Sequence, residues 1–272
     1  MGAFRARKRF GQHFLHDPAV IERILAALAP AASDHLVEIG PGHGALTRRL
    51  LSGPFATLDA IEIDRDLAAE LRGTIAAAPD AALHEADALD FDFTALAARR
   101  GARLRLIGNL PYNISTPLLF HLLEHADAIE DLHVMLQREV VARIAARPGT
   151  AEYGRLTAML APRVQAERLF DIGPGAFQPP PRVWSAVVRL RMLREPAFVV
   201  SASYGRVVSA AFAHRRKTLR NALKGLVTAE QMQARGVDPG ARPETLAPML
   251  FNALAESVEE SSPPSPRPAA IG

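Results

Sequence analysis

The stretch Leu36-Val-Glu38-Ile-Gly40-Pro-Gly42-His-Gly44-Ala-Leu-Thr47 limits the possible folds more than any other part of the chain. An apolar strand runs into glycines at alternate positions and then directly into a helix. In open parallel sheets this passage stands at the carboxyl end of a strand, where ligands bind. Glycine there permits the tight turn and removes side chains that would hold a ligand away from the backbone. The pattern Gly40-x-Gly42-x-x-Ala45 also fits the relaxed dinucleotide fingerprint, so the loop alone leaves a nicotinamide-dependent dehydrogenase open.

The remaining periodicity supports an α/β chain. Apolar positions at helical spacing predict a leading helix over 17–28, with Pro18 in its first turn. Short apolar runs then alternate with helical stretches: His35 to Ile39 before Ala45 to Leu51, Thr57 to Ile63 before Asp66 to Ile75, Ala82 to His84, and Leu104 to Ile107 before Thr116 to His125. Such alternation gives a mostly parallel sheet covered by helices on both faces. Leu132 to Gln137 predicts another strand, Arg138 to Ala146 a helix, and 163–170 and 183–190 two closing strands. The first domain is therefore expected to span 1–192, with Glu195 and Pro196 in a linker. A small all-helical domain should follow over 193–256, with helices near 204–212, 217–226, 229–235 and 243–255. The Ser- and Pro-rich stretch 257–272 is expected to be a disordered tail.

Composition removes whole classes of chemistry. The chain has 272 residues and no cysteine, which excludes disulfides, cysteine-zinc sites, iron–sulfur clusters and thiol nucleophiles. No metal ligand set is assigned. No apolar run is long enough for a membrane span, and the basic N-terminus lacks the apolar block of a secretory signal, so a cytoplasmic protein is expected. The net charge of +3 is unevenly spread. Arg5, Arg7, Lys8 and Arg9 crowd the start, and Arg206, Arg215, Arg216, Lys217, Arg220 and Lys224 follow one another with no acidic residue between them. These are either solvated faces or nucleic-acid surfaces, and the patch does not tell RNA from DNA.

Two acids sharpen the reading of the glycine loop. Glu62 closes the second apolar run, where a carboxylate can accept hydrogen bonds from both ribose hydroxyls of an adenosine. Asp87 follows the third short strand, where it can accept a hydrogen bond from an adenine amine. Glu38, inside an apolar strand, is expected to arrange the loop by accepting backbone N–H groups, because an unpaired buried carboxylate is costly.

The segment Asn109-Leu110-Pro111-Tyr112-Asn-Ile-Ser115-Thr116-Pro117 follows the fourth strand. Its residues suit a poor nucleophile. The exocyclic amine of adenine shares its lone pair with the ring, so it attacks a sulfonium methyl only when held close and drawn towards tetrahedral geometry. The Asn109 side-chain oxygen and the Leu110 carbonyl can engage the two amine protons. Pro111 fixes the backbone and Tyr112 offers a stacking face. Alignment then supplies most of the catalysis, with no strong base needed. In Gly175-Ala-Phe177-Gln-Pro179-Pro-Pro181-Arg-Val-Trp184, Phe177 is a candidate to cover the other face of an extruded base, and Trp184 is expected to pack.

Together these segments resemble the small-subunit ribosomal RNA adenine dimethyltransferases. The resemblance rests on Lys8-Arg-Phe-Gly-Gln12-His13-Phe14-Leu15, VEIGPGHGALT, IEIDRDL, NLPYNISTPL, MLQREVVARI, YGRL, FQPPPRVWSAVVRL and RRKTLRNAL, nearly the whole chain except its last residues. It implies a Rossmann-like class I methyltransferase sheet with a small C-terminal all-α domain. It further implies transfer of methyl groups from S-adenosylmethionine to two adjacent adenosines in a hairpin near the 3′ end of 16S rRNA during small-subunit maturation. The family's cofactor contacts fall on His13, Leu15, Gly40, Gly42, Glu62, Asp87 and Asn109, and its RNA contacts support Arg215, Arg216, Lys217 and Arg220. His13 is a departure, since the family often has asparagine there, and a histidine contact depends on tautomer and pH. Three rivals remain: the dehydrogenase, a non-catalytic ribosome assembly factor, and a large-subunit rRNA adenine methyltransferase. No heptad or long exposed apolar face stands out, so a monomer is expected.

Overall fold

The computed structural model describes residues 12–214 and 216–260. Two compact units divide the chain: 1–145 with 163–195, and 146–162 with 196–272.

In the first unit the alternating pattern becomes a seven-stranded sheet. In chain order its elements are β1 (Phe14–Leu15), α1 (Pro18–Leu28), β2 (His35–Ile39), α2 (Ala45–Leu50), β3 (Thr57–Glu62), α3 (Arg65–Ala76), β4 (Ala81–Glu85), α4 (Phe93–Arg100), β5 (Leu104–Asn109), α5 (Ser115–Glu124), β6 (Ile129–Gln137) and α6 (Arg138–Ile144). The chain returns to this unit, after α7 (Arg155–Leu160) of the other, with β7 (Val164–Ile172), β8 (Phe177–Gln178) and β9 (Ser185–Met192). The strand order is β4-β3-β2-β5-β6-β9-β7. Strands β4 to β6 pair in parallel, whereas β9 runs antiparallel to both β6 and β7. An all-parallel dinucleotide-binding sheet has no such antiparallel strand inserted near its edge. The order reverses between β2 and β5, which makes their carboxyl ends the switch point where open α/β sheets bind ligands.

Local chemistry sets the helix starts. Asp17 caps α1 by accepting from the N–H groups of Ala19 and Val20 at 2.8 and 3.2 Å, and Pro18 occupies the first turn, where no N–H is needed. Asp64 caps α3 and Asp92 caps α4 in the same way. The apolar side of α1 packs Ile21, Ile24 and Leu28 into a core with Leu36 of β2, Ile107 of β5 and Met135 of β6. Strand residues such as Leu36, Leu58 and Ile107 are fully buried, as expected where helices cover a parallel sheet.

The second unit is helical: α7, α8 (Tyr204–Phe212), α9 (Leu219–Ala222), α10 (Ala229–Ala234) and α11 (Pro248–Glu260). Tyr153 donates to the Leu246 carbonyl at 2.8 Å and Tyr204 to the Ala158 carbonyl at 2.7 Å. These buried hydroxyls draw 146–162 into the helical core, although in sequence the segment lies between strands of the sheet unit. The expected tail start at 257 is too early. Helix α11 continues to Glu260, because Val258 keeps the apolar spacing of Phe251 and Leu254 and the Ser257 hydroxyl bonds back to Ala253. The proposed helix at 217–226 shrinks to α9, and that at 243–255 becomes a single tight turn at Pro243–Thr245 followed by α11. No helix among the described residues is long and apolar enough to cross a membrane.

Candidate active site

At the switch point the backbone of β2 leaves the sheet through Gly40, Gly42 and Gly44, with φ of 67°, 57° and 77°. These left-handed conformations strain any residue with a Cβ. At Gly42 space is short as well: an added Cβ would stand 3.0 Å from the Phe14 ring. Three strands on in sequence, but adjacent in the sheet, Gly108 lets β5 run close to β2, since a Cβ there would meet the Ile39 carbonyl oxygen. The loop after β2 and Asn109 at the end of β5 therefore line one cavity of about 330 Å³, within the usual range for a small-molecule site.

Glu62 ends β3 on the same cavity. Its Oε2 accepts from the Gly42 N–H at 3.1 Å and its Oε1 from the Asp64 N–H at 2.9 Å. Burial raises its pKa, and these two backbone donors partly offset the rise. A carboxylate has about four acceptor positions, so each oxygen can still take a hydroxyl hydrogen. Glu38 does not hold the loop as expected. It accepts from the Thr47 hydroxyl at 2.7 Å, while Glu62 takes the loop amide. Burial pushes Glu38 up to about 7; the Thr47 bond opposes this and neighbouring Glu62 adds to it.

Asn109 is half-buried and its Nδ2 donates to the His13 carbonyl at 2.7 Å. That bond commits the amide nitrogen and leaves Oδ1 as the acceptor the side chain can offer. Leu110 is anchored by its N–H on the Met135 carbonyl at 3.2 Å. The Tyr112 hydroxyl pairs with the Ser185 hydroxyl at 2.6 Å, and burial raises its pKa. Its ring lies 5.8 Å from that of His13. His13 Nδ1 is 2.8 Å from the Pro179 carbonyl oxygen. Asp87 also lines the cavity and caps the turn after β4 by accepting from the Leu89 N–H at 2.9 Å.

Thus His13, Leu15, Gly40, Gly42, Glu62, Asp87, Asn109, Leu110, Pro111 and Tyr112 all line one cavity. Phe177 is not among its lining residues. It is 1% exposed, with β8 pairing β1 so that Phe177 stands opposite Leu15 in the core. Trp184, expected to pack, is instead 49% exposed. In the helical unit, Arg216, Lys217 and Arg220 are exposed, and Arg215 lies outside the described residues, as does the basic start of the chain. Sequence reasoning missed Ile63, which lines the cavity while remaining 45% exposed, and Ser185, which holds Tyr112. An apolar residue directly after the strand-end acid was a usable signal for Ile63. Ser185 gave none.

The profile of the family described as "Ribosomal RNA adenine dimethylase" matches residues 3–260. A relative from Nitrosococcus oceani named "Ribosomal RNA small subunit methyltransferase A" is 55% identical over 246 residues, covering 89% of this chain and 92% of its own. Another of that name from Pseudomonas aeruginosa is 53% identical, covering 94% and 96%. Among solved structures, a dimethyladenosine transferase from Plasmodium falciparum shares the fold with a TM-score of 0.75 at 23% identity, covering 91% of this chain and 98% of that one. The 23S rRNA methyltransferase ErmE superposes with a TM-score of 0.68 at 27% identity, covering 90% and 99%. With a cavity built at the switch point from the glycine loop, Glu62 and Asn109, and a profile match over nearly its whole length, this chain belongs to the ribosomal RNA adenine dimethylase family.

Proposed function

We propose that this protein dimethylates the 6-amino groups of two adjacent adenosines in a hairpin near the 3′ end of 16S rRNA, using S-adenosylmethionine, during maturation of the small subunit. The orientation of the Asn109 amide carries the mechanism. Its nitrogen end is held by His13, so its oxygen end is available to an amine. The small-subunit assignment draws on the names of relatives that are more than half identical, against 27% for the large-subunit enzyme ErmE.

The cavity's donor set fits an adenosine-bearing donor. Gly40 and Gly42 allow close approach to the backbone, Glu62 has spare acceptor positions for ribose hydroxyls, and Asp87 stands at the adenine end with Ile63 as an apolar wall. His13, just before β1, and Leu15 of β1 flank it, and β1 pairs with β8. S-adenosylmethionine supplies a methyl group already activated by positive sulfur. The protein's task is therefore alignment. Asn109 Oδ1 and the Leu110 carbonyl accept hydrogen bonds from the two amine N–H groups in the first transfer, and one of them holds the single N–H that remains in the second, turning the nitrogen lone pair towards the methyl. Pro111 restricts the backbone that presents the carbonyl, and Tyr112 stacks on the base with its hydroxyl fixed by Ser185. The nitrogen would become cationic as it gains the methyl, the broken carbon–sulfur bond leaving its electron pair on a neutral thioether, and would then lose a proton to water, so no residue needs to act as a strong base.

The exposed Arg216, Lys217 and Arg220, with Arg215, supply sequence-independent attraction to RNA phosphates. The reading includes a cytoplasmic monomer. Its test is transfer of labelled methyl from S-adenosylmethionine into undermethylated small subunits, with mass mapping of the product. Two adjacent dimethyladenosines near the 3′ end of 16S rRNA are expected. Label confined to large-subunit RNA would replace the substrate, and no label at all would overturn the enzymatic reading.

A further inference from the structure

Trp184 is the only tryptophan in the chain, and 49% of it is exposed beside Val183, itself 44% exposed. Burying an aromatic ring of this size is strongly favourable, so leaving it at the surface forgoes stability. The residue is nonetheless fixed. Its carbonyl accepts from the Arg138 N–H at 2.9 Å, and its six-membered ring lies over Gly173, about 3.7 Å from where a Cβ would stand. A side chain at Gly173 would crowd the seat that holds the indole.

The surroundings are cationic. The Arg138 guanidinium lies 5.8 Å from the Trp184 ring centroid, and Arg182 is exposed two residues earlier. Among the described residues neither arginine has an ion-pair partner. An exposed aromatic face flanked by unneutralised guanidinium groups is the surface that unpaired nucleotides use, with the base on the ring and the phosphate beside the charge.

The platform also adjoins the candidate active site. Ser185, the next residue, holds the Tyr112 hydroxyl at 2.6 Å, and Pro179, at the other end of the same exposed loop, accepts His13 Nδ1 within 2.8 Å. Both ends of the loop 178–185 are thus tied to residues that line the cavity. Ser185 is fully buried whereas Trp184 is open, so a base on Trp184 is not the base that enters the cavity.

From this juxtaposition we infer that Trp184, with Arg138 and Arg182, forms a stacking subsite for an unpaired RNA nucleotide flanking the target adenosine. The inference rests on the RNA-methylating function proposed above and assigns it a specificity contact outside the catalytic cavity. Trp184 is a positioning residue for the RNA and touches neither reacting atom.

Because no other tryptophan is present, indole emission reports on this position alone. The full-length protein is titrated with a single-stranded oligoadenylate and, separately, with duplex RNA of equal charge. Stacking predicts strong quenching by the single strand and weak quenching by the duplex. In methyl-transfer kinetics on undermethylated subunits, Trp184→Ala is expected to raise the KM for RNA about tenfold with kcat and S-adenosylmethionine affinity little changed, and Trp184→Phe is expected to recover most of the loss. Emission unmoved by single strands that filter binding shows to be bound would overturn the inference, as would an unchanged KM in Trp184→Ala. The fluorescence arm needs no methyl transfer, so it decides the stacking subsite even if the protein proves to be inactive on ribosomal RNA.

Discussion

The side-chain nitrogen of Asn109 donates to the main-chain carbonyl of His13 across 2.7 Å. This bond couples the amide at the end of β5 to the segment carrying β1, and so joins two walls of the cavity through the amide proposed to align the acceptor amine. An amide can present either end to a ligand. Here the neighbour fixes which one.

Asn109→Ala is expected to lower kcat by about 10²-fold or more, because positioning contributes effects of that size, while RNA affinity stays within twofold of wild type, at about 1 in ratio. Asn109→Asp should be nearly as damaging, since a carboxylate cannot donate to the His13 carbonyl and is repelled by it. Single-turnover methyl transfer alongside filter binding separates the two quantities. Equal loss of both would contradict the division of labour between cavity and basic surface.

Glu62 accepts a backbone N–H on each oxygen, so Glu62→Gln turns an NH2 group towards one of those donors. It also leaves one oxygen for the ribose hydroxyls where the carboxylate has two, and losing one hydroxyl hydrogen bond to a charged group costs about 1.5–3 kcal/mol, which corresponds to a drop in S-adenosylmethionine affinity of about tenfold or more. Calorimetric titration reads this directly. Unaltered affinity would remove Glu62 from the cofactor site.

Glu38 gives a pH signature. Burial holds its folded-state pKa at about 7, above the ordinary 4.5. Between these values the unfolded chain has released a proton that the folded chain keeps, so this group's contribution to stability falls as pH rises through the window and is level above it. The total change is on the order of 3–4 kcal/mol. Glu38→Gln keeps an acceptor for the Thr47 hydroxyl and does not titrate. Urea unfolding at pH 5, just inside the window's lower end, and at pH 8, about one pH unit above its upper end, should show the variant gaining on wild type at the higher pH. A pH-independent difference would contradict the raised pKa.

Neutralising Arg216, Lys217 and Arg220 together should weaken RNA binding and flatten its dependence on salt by about 2 in log–log slope, through fewer released counterions. Filter binding across a salt series measures both. An unchanged slope would move the phosphate contacts to another surface.

Local motifs made much of this site legible in the sequence. The glycine loop, Glu62, Asp87 and Asn109 to Tyr112 each stand at the carboxyl end of a strand, and the fold brings together whatever occupies those ends. What depended on partners across the chain was not legible. Sequence could not say which of two nearby carboxylates takes the Gly42 amide, and the expectation chose Glu38 where the structure has Glu62. Nor could it sort the aromatics of the proline-rich loop: Phe177 is buried opposite Leu15 and Trp184 is open to solvent, the reverse of what was expected. Helices α4 and α7 are too short, at eight and six residues, to show a clear period. The allegiance of 146–162 to the helical unit rests on Tyr153 and Tyr204, whose bonds span 93 and 46 residues.

The most direct measurement is a crystal structure with S-adenosylmethionine or a non-reactive analogue and an adenosine in the acceptor position. The account requires the Asn109 side-chain oxygen within hydrogen-bonding reach of the 6-amino group, roughly 2.6–3.2 Å, with that nitrogen in line with the methyl carbon. An Asn109 amide turned away from the acceptor base, or a cavity with no room for a base beside Tyr112, would contradict it.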